Sequence, residues 1–512
     1  MKSAVSRVLW VVLDGMGFEH VRSALASGGH PAITRIGSEG LFLPTRPAHP
    51  VCQTPPALLA LFTGTQPPEN GVWGYYMPHP DGLEESMSGF SADTSGTRTI
   101  WQEMEEQGQG YSLMNVAFRN DPVWSGPARH LVFGYDGYRL WQKPSRYRLR
   151  RGEQEIVYRG IRLRARSSTK GVTLAKGASL RAEVPVGELR KVDVTRGTSV
   201  YAHLLEPGEL FLNPVSTAVC RGETDAQSSG FLDMSNFHLV RRLNASRDQS
   251  HRVPVEPEIL ASRISFDLKE DLMLRGAANR TARLVVGYFP VIDDFNHAYL
   301  DLLLRKDARA TALFHACVTM VDGLLTRMMQ RMRDDELLVI SSDHGGMPFS
   351  SMLHINEILA DAGLVRRGAR GYDFRRSLAW YHPSDCGQVV AWDLSRREAL
   401  LKRLGAALDI ANTNMGADIG LLEGDGDSPY LAFLYPRGDT YFTGRPGRGS
   451  GLVRDRKRSG GHHLSPLSPT PWMQAVLGLW SPRSGGIADS LPFLPKENID
   501  MKKFLMETME LA

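Results

Sequence analysis

Five short stretches put carboxylate, imidazole or hydroxyl groups where chemistry could gather. Asp14 follows the apolar run VLWVVL at 8–13, and Asp343 and His344 stand together in SSDHGG, directly after LLVI at 337–340. Asp293 and His297 sit at i and i+4 in DDFNH, one helical face apart, so a single ion could reach both. His462 and His463 fall in the Gly-rich SGGHHLSP. Thr54, in HPVCQTPPALLALF, precedes two prolines and an apolar segment. Proline favours the first helical position and threonine the cap before it, which predicts that Thr54 caps a helix. Taken singly, each stretch has a plain structural reading as a turn, a cap or a helix end.

Together they hold three carboxylates, three or four imidazoles and one hydroxyl. That set suits two divalent ions with nitrogen and oxygen ligands and no thiolate, zinc first and manganese as the alternative. Two such ions bring about +4 against the three carboxylates, so the centre attracts an anionic ester. A threonine hydroxyl is a weak nucleophile at neutral pH, and coordination can activate it. A phosphoryl centre matches this equipment best.

The elements that must position these groups read as α/β. VLWVVL, ARLVVGYF (282–289) and LLVI are continuous apolar runs, the pattern of parallel strands covered on both faces. RATALFHACVTMVDGLLTRMMQRM (309–332) has helical spacing and lies between two of them, forming a βαβ unit. The acidic residues come just past the strands' carboxyl ends, the edge at which open α/β sheets bind ligands. Residues 126–275 alternate polar and apolar with Gly-containing breaks, which predicts antiparallel hairpins inserted between core segments 1–125 and 276–512. Arg162, Arg164 and Arg166 share one face of a strand there, read as solvated. WYHPSDCGQVVAW (380–392) reads as a strand pair.

The 512 residues carry a net charge of only +4, which gives no reason to expect a nucleic acid polymer or a membrane as partner. Four scattered cysteines without a CxxC exclude a dense disulfide framework or thiolate zinc site and fit a reducing compartment. LWVVL is too short for a signal or membrane segment, and the expected location is cytoplasmic.

The order VLWVVLDGMG, CQTPPALLALFTGTQPPENGV, DDFNH, SSDHGG, SGGHHLSP resembles the metal-dependent phosphodiesterases of the alkaline phosphatase superfamily, nearest to the nucleotide pyrophosphatase/phosphodiesterase type. INEILADAGLV (355–365) adds a segment similar to bacterial members. The resemblance implies an alkaline-phosphatase-like core with a mostly parallel central sheet flanked by helices. It also implies one ion held by Asp14, Thr54, Asp343 and His344, a second by Asp293, His297 and His462, and Thr54 as nucleophile through a phospho-threonine intermediate. His462 is preferred to His463 because Gly460, His462 and Pro466 keep the family's register. The implied substrate is a small phosphoester or nucleotide-like molecule. A phosphomonoesterase or phosphonate hydrolase with the same site, and an inactive metal-binding interaction protein, are the alternatives.

The chain departs from the pattern near the nucleophile. Ala57 stands where many relatives carry a donor Asn, and Pro55 and Pro56 lack N–H groups. Asn70 takes a position where His is common, and is one expected donor to the phosphoryl oxygens. Tyr75 and Tyr76, after Trp73, are candidates to line the leaving-group side, with core packing the other reading. Cys52 invites a sulfatase comparison, but CQTPP lacks the C-x-P-x-R pattern.

Overall fold

A computed structural model describes residues 5–79, 82–94, 96–118, 131–134, 145–158, 160–177, 180–195, 198–215, 219–224, 228–233, 257–349, 351–369, 371–424, 430–447, 453–454, 467, 470–483 and 491–511. The chain divides into two units: Met1–Ser112, Val116–Arg129 and Ala277–Ala512 form one, and Leu113–Asn115 with His130–Gly276 the other.

In the larger unit the elements that matter for the site are β1 (Arg7–Leu13), α1 (Phe18–Ser27), β2 (Leu41–Thr45), α2 (Thr54–Thr63), β3 (Leu284–Phe289), α3 (Val291–Leu304), α4 (Ala308–Met329), β4 (Glu336–Ser341) and β5 (Ala475–Trp480). The strands run in the order β3-β1-β4-β5-β2. β1 is parallel to both β3 and β4, with Leu13 level with Phe289 and Val12 with Ser341, while β5 is antiparallel to β4 and β2. Every residue of β1, β3, β4 and β5 is buried, which is why these segments show no polar alternation. The structure therefore has the mixed α/β, mostly parallel architecture that the apolar runs predict. The βαβ reading needs one refinement: β3 and β4 are not neighbours, because β1 lies between them. The chain also makes two helices, α3 and α4, on the way.

α2 is buried at all ten positions, so its apolar residues have no polar face to oppose them. Thr54 is its first helical residue rather than its cap; that place falls to Gln53, whose carbonyl accepts the Ala57 N–H at 3.0 Å. A capping side chain accepts from the second or third helical N–H, and here both positions are proline. The first N–H after Thr54 is that of Ala57, and it goes to the Gln53 carbonyl, so the Thr54 hydroxyl is not drawn into a cap.

Residues 351–447 add a four-stranded antiparallel sheet, Trp380–Tyr381, Gln388–Val390, Ala432–Pro436 and Ile419–Glu423 in that order, with helices Ile355–Asp361 and Arg397–Met415. Its first two strands are the pair read from WYHPSDCGQVVAW. Asn356 anchors the shorter helix, donating to the Tyr381 and Gly444 carbonyls at 2.8 and 2.9 Å and accepting from the Tyr381 N–H at 2.8 Å. Trp73 belongs to the core of this part, edge-on to Tyr430 with ring centres 5.2 Å apart.

The smaller unit contains two four-stranded antiparallel sheets around an apolar core that includes Leu163, Leu174, Val200 and Leu212. Arg162, Arg164 and Arg166 lie on the exposed face, and Arg162 pairs with Glu155 at 3.5 Å. One expectation fails at the end of this segment: Pro257–Ala278 is a 22-residue helix, not a hairpin. Proline at its start and a composition rich in Leu, Ala, Glu, Lys and Arg outweigh the alternation seen earlier in the segment. No helix among the described residues is long and apolar enough to cross a membrane.

Candidate metal centre

Asp14 leaves the carboxyl end of β1, Asp293 lies in the first turn after β3, and Asp343 and His344 follow β4. Because the three strands are parallel and in register, these residues emerge at one edge of the sheet. Ligand atoms of Asp14, Asp293 and His344 lie within 4.8 Å of one another. The His344 Nε2 is 3.3 Å from Asp14 Oδ1 and 3.5 Å from Asp343 Oδ2, and the Thr54 Oγ1 is 3.4 Å from the same nitrogen. On the other side His297 Nε2 lies 3.2 Å from Asp293 Oδ2. Six expected site residues thus meet in one continuous cluster, all buried except the half-exposed His297. His462 and His463 lie outside the described residues.

The protons can be assigned from the partners. A carbonyl oxygen only accepts, so the 2.7 Å contact between His344 Nδ1 and the Gly345 carbonyl puts the hydrogen of the neutral ring on Nδ1. Nε2 then presents a lone pair to two carboxylate oxygens. Asp14 Oδ1 and Asp343 Oδ2 are buried and accept no hydrogen bond among the described residues. Electron-rich atoms facing one another across a dry gap repel unless a proton or a metal cation lies between them, and such converging lone pairs are what a divalent ion requires.

The remaining oxygens are held in place. Asp343 Oδ1 accepts the Gly15 N–H at 3.2 Å and the His344 N–H at 2.9 Å, and Tyr288 donates its phenol hydrogen to Asp14 Oδ2. Burial pushes the Asp14 carboxyl well above its ordinary range, with Asp343 and Asp293 adding repulsion. Burial, then the Asp293 charge, pushes Asp343 up to about 8 despite its two backbone donors. A cation would relieve both.

Glycines make the close approach practicable. Gly15 has φ +66°, and a Cβ there would come 2.8 Å from the Asp293 Cα. At Gly345 it would lie 1.9 Å from the Trp472 carbonyl oxygen, so the turn after His344 excludes any side chain.

Around Thr54 the fit is different. Asn70 spends its side chain on its own turn, donating to the Thr65 carbonyl at 3.1 Å and accepting from the Val72 N–H at 3.0 Å. Gln53, next to Thr54, accepts the Tyr75 N–H at 2.7 Å and so ties that segment to the helix start. Tyr75 packs edge-on to Tyr76 and Phe90, with ring centres at 5.2 and 5.6 Å. Its hydroxyl lies in the field of Asp14 and Asp293, which, after burial and Tyr76, raises its pKa.

Sequence reading missed the supporting residues. Tyr288 sits inside an apolar strand and carries no motif. Asn498, near the C-terminus, donates to the Ser342 and Asp343 carbonyls at 3.1 and 2.8 Å, the latter from 155 residues away. Asn296 is visible within DDFNH, one turn beyond Asp293, but nothing in the spacing gives it a role.

No curated protein matches the chain. Among solved structures, phosphonoacetate hydrolase from Sinorhizobium meliloti 1021, in complex with phosphonoformate, is similar at 15% identity and TM-score 0.51, covering 99% of this chain and 96% of that one. Murine ectonucleotide pyrophosphatase/phosphodiesterase 5 aligns at 12% identity and TM-score 0.49, over 99% and 95% of the two chains. A structure of an inactive form of that murine protein, in complex with AMP, aligns at 12% identity and TM-score 0.48, over 99% and 96%. The first likeness supports the fold. The type I phosphodiesterase/nucleotide pyrophosphatase family matches residues 8–419, most of the chain. The protein therefore belongs to the type I phosphodiesterase/nucleotide pyrophosphatase family of metal-dependent phosphoester hydrolases.

Proposed function

We propose that this chain hydrolyses small phosphodiesters or nucleotide-like phosphoesters with Thr54 as nucleophile and two divalent ions, zinc or manganese, as cofactors. The observation that carries the reading is the Thr54 hydroxyl, free of any capping role and 3.4 Å from the lone pair of a buried His344 beside two carboxylates. Asp14, Thr54, Asp343 and His344 would hold one ion; Asp293, His297 and, from the Gly-rich stretch, His462 the other. Such ions supply charge neutralisation and favour the ionised hydroxyl.

Thr54 attacks phosphorus in line, forming an Oγ–P bond as the bond to the leaving oxygen breaks. The leaving oxygen departs with the proton that Thr54 gives up. Water then cleaves the phospho-threonine, returning the hydroxyl and releasing the phosphate product, and the two inversions give net retention at phosphorus. Buried walls exclude bulk water from Thr54, which strengthens each electrostatic contact in the site. Tyr75 and Tyr76 bound the leaving-group side, with Tyr76 47% exposed and available to a planar group. Asn70 could serve the phosphoryl oxygens only by giving up its hold on the 65–72 turn.

Chelation abolishes hydrolysis of a p-nitrophenyl phosphodiester, and added Zn²⁺ restores it. Full activity in the chelated protein would end the proposal. Relative rates on matched diester, monoester and phosphonate substrates assign the bond cleaved.

A further inference from the structure

The two sides of the metal centre are joined by a chain of side-chain hydrogen bonds whose direction is fixed. The Gly17 N–H donates to His20 Nδ1 at 3.1 Å, so that nitrogen carries the lone pair. His20 Nε2 therefore carries the hydrogen and donates to Asn296 Oδ1 at 3.0 Å. This fixes the orientation of the Asn296 amide, whose Nδ2 donates to the Gly15 carbonyl at 2.8 Å. His20 and Asn296 are both fully buried. Burial holds the imidazole near a pKa of about 4, which keeps it neutral at physiological pH. Phe314 and Trp472 flank the ring, with centres at 5.7 and 5.1 Å.

The chain of bonds ends at two informative places. Gly15 follows Asp14 and donates its N–H to Asp343 at 3.2 Å. Asn296 lies on α3 between Asp293 and His297. The Asp293 N–H also donates to the Asp14 carbonyl at 3.1 Å, so the same two segments are joined by backbone and by side chain. The His20 nitrogens and the Asn296 side-chain atoms are all spent in this chain of bonds, so neither residue is a ligand candidate in the Asp14–Asp293–His344 cluster.

We propose that His20 and Asn296 are positioning residues of the metal centre: the imidazole orients the Asn296 amide, which holds the Asp14–Gly15 turn against the Asp293–His297 turn. The inference rests on the reading of this cluster as a metal site, and the experiment separates the two. The apoprotein is titrated with Zn²⁺ against a chromophoric chelator, and the apoprotein's melting temperature is recorded alongside. Zn²⁺ binding by the unaltered chain tests the metal site itself; failure there overturns that reading.

Given binding, His20→Phe and Asn296→Leu each weaken Zn²⁺ affinity about tenfold, the lower end of the effect of outer-shell partners. The double variant loses no more than the larger single loss, because one chain of bonds is broken once. Apoprotein melting changes little in comparison. Wild-type affinity in both variants, additive losses, or a loss that tracks the fall in melting temperature would overturn the inference. If His20→Phe does not fold, Asn296→Leu and the smaller Asn296→Ser decide it by the same comparison of affinity with melting.

Discussion

The Thr54 hydroxyl faces His344 Nε2 at 3.4 Å, while the opposite nitrogen of that ring is fixed at 2.7 Å on the Gly345 carbonyl. The threonine oxygen therefore shares the direction in which the histidine can bind a cation. Its own helix makes no claim on it, since Pro55 and Pro56 have no N–H and the Ala57 N–H goes to the Gln53 carbonyl.

Removal of that oxygen should affect chemistry far more than folding. Thr54→Ala is expected to lower kcat on a p-nitrophenyl phosphodiester by at least about 10³-fold. Metal content and melting temperature should stay near those of the parent, and Thr54→Ser should keep part of the rate. Unchanged turnover in Thr54→Ala would mean that another group is the nucleophile, whereas absence of turnover in the metal-loaded parent would favour an interaction protein.

Asp14 and Asp343 give the apoprotein a pH dependence of definite sign. Burial raises both carboxyls, Asp343 to about 8, so the folded chain holds protons that the unfolded chain releases at about 4. The stabilisation is complete below the unfolded pKa and is lost as pH rises through the folded value. Chelated protein should melt lower at pH 8 than at pH 5, and metal-loaded protein should show a smaller decline because the cation replaces the protons. Thermal scans from pH 5 to about 8.5 test this, with Asp343→Asn flattening the apoprotein curve. Parallel slopes with and without metal would contradict the assignment.

Gly15→Ala places a Cβ 2.8 Å from the Asp293 Cα in a backbone with φ +66°. Strain of this kind costs about 1–3 kcal/mol, and relief by moving α3 would separate Asp293 from Asp14. The variant is expected to melt lower and to bind Zn²⁺ more weakly. Calorimetry and metal titration measure the two effects, and a variant with parental values in both would show that the turn adjusts without cost.

Tyr288 donates to Asp14 Oδ2 from within β3. Tyr288→Phe keeps the ring in the sheet and removes only that donor. Metal affinity is expected to fall about tenfold or more, with little change in melting. Parental affinity would mean that the phenol does not orient the carboxylate.

Much was legible because the residues of the cluster closely follow their strands. The continuous apolar runs before Asp14 and Asp343 identified buried parallel strands, and the i, i+4 spacing of Asp293 and His297 placed them on one helical face. Local pattern also identified antiparallel hairpins within 126–275, although the helix at Pro257–Ala278 falls at its end. The position of Thr54 one residue inside its helix was hidden because cap and first-turn preferences overlap.

The sequence by itself determined which residue types were available, their order along the chain and the strand ends that carry them, since burial and helical spacing are local properties. Tertiary structure decided the partners. Register between β1, β3 and β4 brought Asp14, Asp293 and His344 within 4.8 Å, and contacts from Tyr288, Asn296, His20 and Asn498 fixed their orientation. Those contacts join residues far apart in the chain. Their strength comes from exclusion of water, which exists only once the sheet and its covering helices have closed.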